Sequence, residues 1–480
     1  MSVFARLVVF LAVACATAIP ALASDAKVRL IEERGWRDIV PSKTETKSAV
    51  EEGGLFRYQR EMFEKTGMLR AWDRFGIGIS SLQMPLVVYI DTGIDASHPE
   101  FADLVDCGLS ENFIEGGGNP CVDEYGHGTA VASIGHAGDK MRGFARGKIV
   151  SFKVMVPDKN QFGQPYLRTS LPAVIAAFRR VKELGDMFPL VIVNTSFSID
   201  GVDPILNALM AELEEQGRVL IVAGTDNRVL DSESLPGLPC ASSPRTNVFC
   251  VASLTMKGNL ASWSAYGNRI NYSGRCDNIV ASYPGPRYGM FTGNSGCAPQ
   301  ISAVSAMVAG YVVTTYGREL KASELKILMF RGAVFAPGLV STIRQQEIFF
   351  PITLDVERLL VVADKIFSAE ETVIRPLSAE KLMSAESLKD AEGKTLFEIS
   401  PKTYQVKGSG FEEGRVAVFL NGLPVETAVL SETELEIQLG PEITFFVSSG
   451  SNVLYLLRLD EDGEADPFSL VRILSGFAIK

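Results

Sequence analysis

Five short apolar runs constrain this chain more than any other feature. Leu86–Ile90, Ile149–Met155, Leu190–Val193, Val219–Ala223 and Val248–Ala252 are built mainly from Val, Ile, Leu and Phe. A strand with one wet face alternates apolar and polar residues, whereas a strand buried on both faces reads as a near-continuous apolar run. Helical patterns fall between these runs. Val174, Phe178, Val181 and Leu184 share one helical face. Asp203-Pro204 and Gly217 supply the cap, first-turn proline and terminal glycine of another helix. Such alternation predicts an α/β fold, a parallel sheet with right-handed crossovers and helices on both faces. Ligands of such sheets gather at the C-terminal ends of the strands.

At 480 residues the chain exceeds one ordinary core. Residues 368–394 turn charged and serine-containing and read as a linker, and 395–480 read as all-β. Asn421-Gly422 is a hairpin signal, and Leu435, Ile437 and Leu439 alternate with polar residues. Short strands in so small a unit predict a β-sandwich. The segment resembles the immunoglobulin-like domains of the plexin and transcription-factor type, which implies a binding or spacer role. Residues 24–54 have no clear period and read as a short pro-segment or an N-terminal arm, followed by a main domain over 55–367.

Residues 1–23 have the layout of a secretory signal: Arg6, an apolar stretch from Leu7 to Ile19, then Ala21-Leu22-Ala23. No other long apolar run follows, so the expected mature product has no transmembrane segment and is exported, secreted or periplasmic. Its removal leaves Cys107, Cys121, Cys240, Cys250, Cys276 and Cys297, an even number that favours disulfides in an exported chain. Pairing of sequence neighbours (107–121, 240–250, 276–297) closes short loops and is the expectation; the alternative leaves Cys297 a buried free thiol. The net charge of −11 excludes a general nucleic-acid surface.

Three stretches carry chemistry. Asp91 follows the first apolar run directly, where a buried carboxylate is costly unless paired. His127 lies between Gly126 and Gly128, ahead of a small-residue helix. Ser295 sits in Gly293-Asn294-Ser295-Gly296, followed by Pro299 and an apolar stretch to Gly310 that predicts a buried helix with a hydroxyl at its N-terminus. A hydroxyl nucleophile, a base and a carboxylate that fixes the base's tautomer are the parts of an acyl-transfer site. They occur here in the order Asp, His, Ser.

Together these stretches resemble the subtilisin-like serine peptidases, or subtilases. The matching motifs are Val88-Tyr89-Ile90-Asp91-Thr92-Gly93-Ile94-Asp95 with His98-Pro99, Gly126-His127-Gly128-Thr129, and Gly293-Asn294-Ser295 with Pro299. Ala261–Gly267 also resembles the family's segment before the serine. The resemblance implies Ser295 as nucleophile on a polypeptide substrate, His127 as base then acid, and Asp91 as its orienting carboxylate. It implies Ser196, Phe197 and Ser198 as the strand that pairs with substrate. It leaves two candidates for the side-chain oxyanion donor: Thr225 by gap-free reading, Asn227 by a two-residue slip.

The family's usual threonine before the serine is Asn294 here, and Gly296-Cys297 follow it. These departures keep alternatives open: a catalytically impaired pseudoprotease that binds or assembles, or an esterase using the same site. No metal or cofactor is expected to be required. The family often binds calcium, and Glu100 stands where an acidic ligand can occur, but one carboxylate is far short of the roughly six to eight oxygens calcium takes. Glu100 and His136 are expected at the surface, and His98 in a structural role.

Overall fold

The five apolar runs become neighbouring strands of one parallel sheet. They are β2 (Leu86–Asp91), β4 (Ile149–Lys153), β7 (Val191–Thr195), β9 (Val219–Gly224) and β11 (Val248–Leu254), with β3 (Glu111–Asn112) and β12 (Tyr272–Arg275) at the edges. The order is β12-β11-β9-β7-β2-β4-β3, and every neighbouring pair is parallel. This computed structural model describes residues 28–30, 55–76, and 82–368 except 160–164, 202, 230, 233–236, 268 and 337–351. In the C-terminal part it describes 384–390, 398–399, 403–420, 423–438, 452–459 and 465–479. The expected signal segment and the Asn421-Gly422 turn lie outside the described residues.

Alternate residues of each strand feed two separate cores. Val87 and Tyr89 of β2, Ile192 of β7, and Leu220 and Val222 of β9 face one side. Leu86, Val88, Ile90, Val191, Val193, Val219 and Ile221 face the other. The first core is closed by helices α1 (Phe56–Lys65), α2 (Met68–Phe75), α3 (His127–His136), α6 (Cys297–Tyr316), α7 (Ala322–Arg331) and α8 (Val356–Ser368). The second is closed by α4 (Leu171–Met187) and α5 (Pro204–Gln216). Ser170 and Asp203 cap these two helices by accepting from Ala173 N and Leu206 N, and Gly217 ends α5 with φ +71°.

The run Ile149–Met155 does not stay one strand. β4 stops at Lys153, and β5 (Met155–Lys159) forms an antiparallel hairpin with β6 (Pro165–Thr169). Helix α6 is long and apolar enough by composition to span a membrane, yet it is the central core helix, and its residues from Cys297 to Gly310 are all buried.

Outside the main sheet, β8 (Phe197–Asp200) is a short strand paired on both sides. β10 (Gly237–Leu238) runs antiparallel to it, and so does β1 (Val28–Leu30) from the N-terminal arm, with Leu30 opposite Phe197 and Val28 opposite Ile199. A hairpin of β13 (Ile279–Tyr283) and β14 (Arg287–Phe291) leads into the Ser295 segment.

Among the described residues the C-terminal part is all-β, as the alternation predicts. Leu435 and Ile437 are buried, and strand 416–420 pairs antiparallel with 423–431. Strand 423–431 changes partners along its length: residues 423–425 pair with 418–420, and 426–431 with 434–438. A strand shared in this way is how one sheet turns the corner into a second layer. Residues 384–390, within the predicted linker, form a strand of this same sheet.

Candidate active site

Asp91 is the last residue of β2, held in register opposite Lys153 of β4, and its carbonyl accepts from Val154 N at 2.9 Å. The side chain is buried, and its Oδ1 accepts from Thr92 N at 2.7 Å. The same oxygen lies 2.7 Å from Nδ1 of His127, itself buried. Oδ2 has no donor among the described residues. A buried carboxylate so sparsely compensated favours a proton on the facing Nδ1 and stabilises positive charge on the ring.

His127 can reach Asp91 because the turn before it is tight and the helix after it is thin. Gly126 stands at φ +105°, a conformation open to glycine. At Gly128 a Cβ would lie 2.1 Å from Gly93 O and 3.2 Å from Asp91 Cβ, so any larger residue would push the imidazole off the carboxylate. Small residues then let α3 lie directly against β2 and α6.

One carboxylate that sequence reasoning missed organises this corner. Asp123 is buried and accepts from Thr92 Oγ1 (2.9 Å), Tyr125 N (3.1 Å) and Gly126 N (2.8 Å) on Oδ1. On Oδ2 it accepts from Thr129 N (2.9 Å) and Thr129 Oγ1 (2.6 Å). Burial pushes its acid up from the ordinary carboxylate value, partly offset by these donors. Thr92 in turn accepts from Gly128 N at 2.9 Å. Asp123 therefore ties the strand that carries Asp91 to the turn that carries His127. The available signal was an acid three residues before a glycine that opens a helix.

Ser295 lies in the turn Asn294–Gly296 that runs into α6, with Pro299 in that helix's first turn. Its Oγ is 3.4 Å from the carbonyl of Ser196, and its own carbonyl accepts from Ser196 Oγ at 3.0 Å. The turn packs against α3 at the His127 end, where the His127 ring centroid is 6.1 Å from that of Phe291. Asn294, the departure from the family motif, is fully buried and well bonded. Its backbone N–H donates to Asn227 Oδ1 (2.8 Å), its Nδ2 donates to Asp226 O (2.8 Å), and its Oδ1 accepts from Ser264 Oγ (3.1 Å). It stitches the serine turn to the segment after β9.

Those bonds place the two oxyanion candidates differently against the serine turn. Asn227 has its side chain against the serine turn, with Nδ2 3.1 Å from where a Cβ on Gly293 would stand. Thr225 is two residues earlier, where its N–H continues the sheet by donating to Val251 O (2.9 Å). Phe197 is buried and Ser198 half-buried on β8.

The six cysteines pair as sequence neighbours: Cys107–Cys121, Cys240–Cys250 and Cys276–Cys297, with Cα separations of 6.0, 4.7 and 5.3 Å. The last bond ties the end of β12 to the first residue of α6, two positions after Ser295.

Two expectations are corrected. Glu100 is not a solvated acid: its buried carboxylate accepts from the backbone N–H groups of Gly138, Asp139, Lys140 and Met141, and from Tyr288 Oη. Its oxygens are committed to fixing a loop, and the described residues hold no cluster of metal-ligating side chains. His136 is not at the surface: it is fully buried, with Nδ1 2.9 Å from Tyr89 Oη. Helix α3 is enclosed on every side, so its terminal histidine is enclosed too. His98 accepts at Nδ1 from Glu100 N at 3.2 Å.

Burial lowers His136 from its ordinary value to about 3. A histidine depressed in the fold gives stability that is complete above its unfolded value, near 6.5, and is lost as pH falls from there towards about 3. The melting temperature should therefore drop between pH 7 and pH 4. His136→Gln, which keeps an acceptor for Tyr89, should show a shallower drop in differential scanning calorimetry. An unchanged slope would mean that other groups carry the acid sensitivity.

The family model of the subtilases (peptidase S8) matches residues 84–343, more than half of the chain. The chain belongs to the subtilase family. This subtilase is 23% identical over 276 residues to the major intracellular serine protease of Bacillus subtilis, covering 56% of this chain and 82% of that protein. It is 27% identical over 259 residues to subtilisin-like protease 11 of Arthroderma benhamiae, covering 53% and 58%. It is 24% identical over 275 residues to subtilisin-like protease 1 of Plasmodium falciparum, covering 46% and 37%. The chain thus spans little over half the length of the second of these relatives and about a third of the last.

Among solved structures, one described as the structural basis of subtilase cytotoxin SubAB assembly superposes with a TM-score of 0.53 at 20% identity, covering 65% of this chain and 99% of that one. The epidermin leader peptide processing serine protease (EpiP) of Staphylococcus aureus gives 0.52 at 17% identity, covering 72% and 89%. At these identities the likeness shows the fold alone.

Proposed function

We propose that this subtilase is an exported serine endopeptidase working through Asp91, His127 and Ser295. The observation that carries the reading is the buried 2.7 Å contact between Asp91 Oδ1 and His127 Nδ1, in a fold where the Ser295 turn packs against the same helix start. With Nδ1 donating to Asp91, Nε2 is left as the base. It takes the Ser295 proton as Oγ attacks the peptide carbonyl, then returns it to the leaving amine. Water repeats the sequence to release the acyl group. Asn227 Nδ2 and the N–H groups at the start of α6 are the donors suited to the oxyanion. An extended substrate would pair with β8, where main-chain bonds give affinity without demanding particular side chains. Export is supported by the signal layout of residues 1–23 and by three disulfides, which persist in oxidising compartments.

The test is a fluorophosphonate probe on the purified protein, with the modified residue located by peptide mass mapping. Wild type should label at Ser295 only. Absence of labelling on a folded protein that still binds a peptide would support the pseudoprotease reading instead, and rapid ester turnover without amide turnover would support an esterase.

The oxyanion assignment has its own test. Asn227→Ala should lower kcat by about a hundred- to a thousandfold with little change in KM, because the lost bond forms only as charge develops. Thr225→Ala should stay within a few-fold of wild type. The reverse pattern would move the donor to Thr225.

A further inference from the structure

Ser295 is held from both sides by one residue. Cys276 stands directly after β12, and its carbonyl accepts from Gly293 N at 3.2 Å, two residues before the nucleophile. Its sulfur is bonded to Cys297, two residues after the nucleophile and the first of α6. The stretch from Gly293 to Cys297 is therefore closed onto a single point, with Ser295 at its middle. That point is anchored in the sheet. Arg275, the neighbour of Cys276, pairs in register with Leu254, and its Nη1 donates to Thr255 O (2.9 Å) and Met256 O (3.2 Å). One turn along α6, Gln300 donates to Arg275 O (2.6 Å) and accepts from Arg275 N (3.1 Å). Gly274 makes room for this approach, since a Cβ there would stand 3.1 Å from that of Cys297.

What this bond would move sets it apart from an ordinary staple. Without it the start of α6 loses its covalent tie to the sheet, and the groups displaced are Ser295 Oγ and the N–H groups of the same turn that suit the oxyanion. A misplacement of about 1 Å at a reacting group costs on the order of a hundredfold in rate. Both sulfurs are fully buried, so the bond forms before the core closes over it, and dissolved thiols do not reach it in the folded chain. Cys107 of the Cys107–Cys121 bond, by contrast, is exposed.

We propose that Cys276 and Cys297 are positioning residues for the nucleophile, and that forming their disulfide licenses turnover. The inference rests on the peptidase reading for its consequence but not for its geometry. The thiolate of one cysteine attacks a disulfide-bearing oxidant to give a mixed disulfide, and the second thiolate displaces the oxidant's remaining sulfur as a thiol. Two protein thiols thereby lose two electrons and two protons to become the Cys276–Cys297 bond, and the oxidant gains them as two thiols. A chain held in a reducing compartment carries a slack nucleophile, and full turnover follows only in an oxidising one.

The test compares Cys276→Ala with Cys297→Ala, in one chain, against Cys107→Ala with Cys121→Ala. The two bonds span 21 and 14 residues, so their loop-closure entropies differ little. The first variant, assayed well below its melting temperature, should lose about ten- to a hundredfold in kcat with KM little changed, and the second should stay within a few-fold of wild type. Cys276→Val with Cys297→Ala refills the buried volume without the bond; it should show the same loss and serves if the alanine pair does not fold. Hydrogen exchange read by mass spectrometry needs no catalysis: amides 293–301 should exchange faster in either variant that lacks the Cys276–Cys297 bond and unchanged in the other. Wild type refolded from its reduced form with oxidised glutathione should gain kcat in step with the loss of alkylatable thiol at Cys276 and Cys297. Wild type that cuts no peptide, with the exchange rise confined to 293–301, would sink the peptidase reading and leave the positioning role standing. A kcat within twofold of wild type, a loss matched by the Cys107–Cys121 variant, activity that precedes the pairing, or unchanged exchange across 293–301 would overturn it.

Discussion

Ser295→Ala should lower kcat for hydrolysis of an extended peptide by about a millionfold, with KM little changed. The hydroxyl is the atom that forms the acyl bond, and nothing adjacent can replace it: Ser196, whose side chain is spent on the Ser295 carbonyl at 3.0 Å, faces the wrong way to attack. What survives is the rate that binding and oxyanion donors alone provide, roughly a thousand- to ten-thousandfold above water. The measurement is turnover of a quenched fluorescent peptide against wild type purified in parallel. A loss below about a hundredfold would show that Ser295 is not the nucleophile.

The next largest effect is expected at Asp91. Asp91→Asn should reduce kcat by about ten-thousandfold while leaving the fold intact. The amide is isosteric, so the 2.7 Å contact with His127 can persist, but an amide N–H aimed at Nδ1 makes that nitrogen an acceptor. The ring proton then sits on Nε2, where it blocks proton uptake from Ser295. The same substitution removes the charge that stabilises the imidazolium. Steady-state kinetics, with the melting temperature as a folding control, check this. A variant within tenfold of wild type would reduce Asp91 to a structural strand-end acid.

The parallel sheet and the three central residues were legible because each leaves a local mark. Five apolar runs alternate with helix signals, and Asp91, His127 and Ser295 each stand in a short glycine-marked motif. Which of the two oxyanion candidates meets the serine turn was not legible. Thr225 and Asn227 are two residues apart, and only the bond from Asn294 N to Asn227 Oδ1 shows which side chain meets the serine turn. His136 misled because a polar residue ending a helix normally marks an exposed end, whereas α3 is enclosed by β2 and α6. Glu100 misled for the opposite reason. Its partners are four consecutive backbone N–H groups some forty residues away, which no side-chain pattern announces.

The pairing of Val28–Leu30 with β8 has a consequence for any peptide the cleft accepts. On the proposed peptide path, the edge of β8 that an extended substrate would use is filled by a strand of the same chain, at a concentration set by the tether rather than by solution. An incoming peptide therefore competes with an internal rival, and its apparent affinity is its intrinsic affinity scaled by the fraction of molecules whose edge is open. The rival obstructs every peptide alike, so it weakens all of them while leaving their ratios untouched. On the proposed peptide path the N-terminal arm would act as a gain control on the cleft, adjusting how much substrate is needed without altering which substrate is chosen.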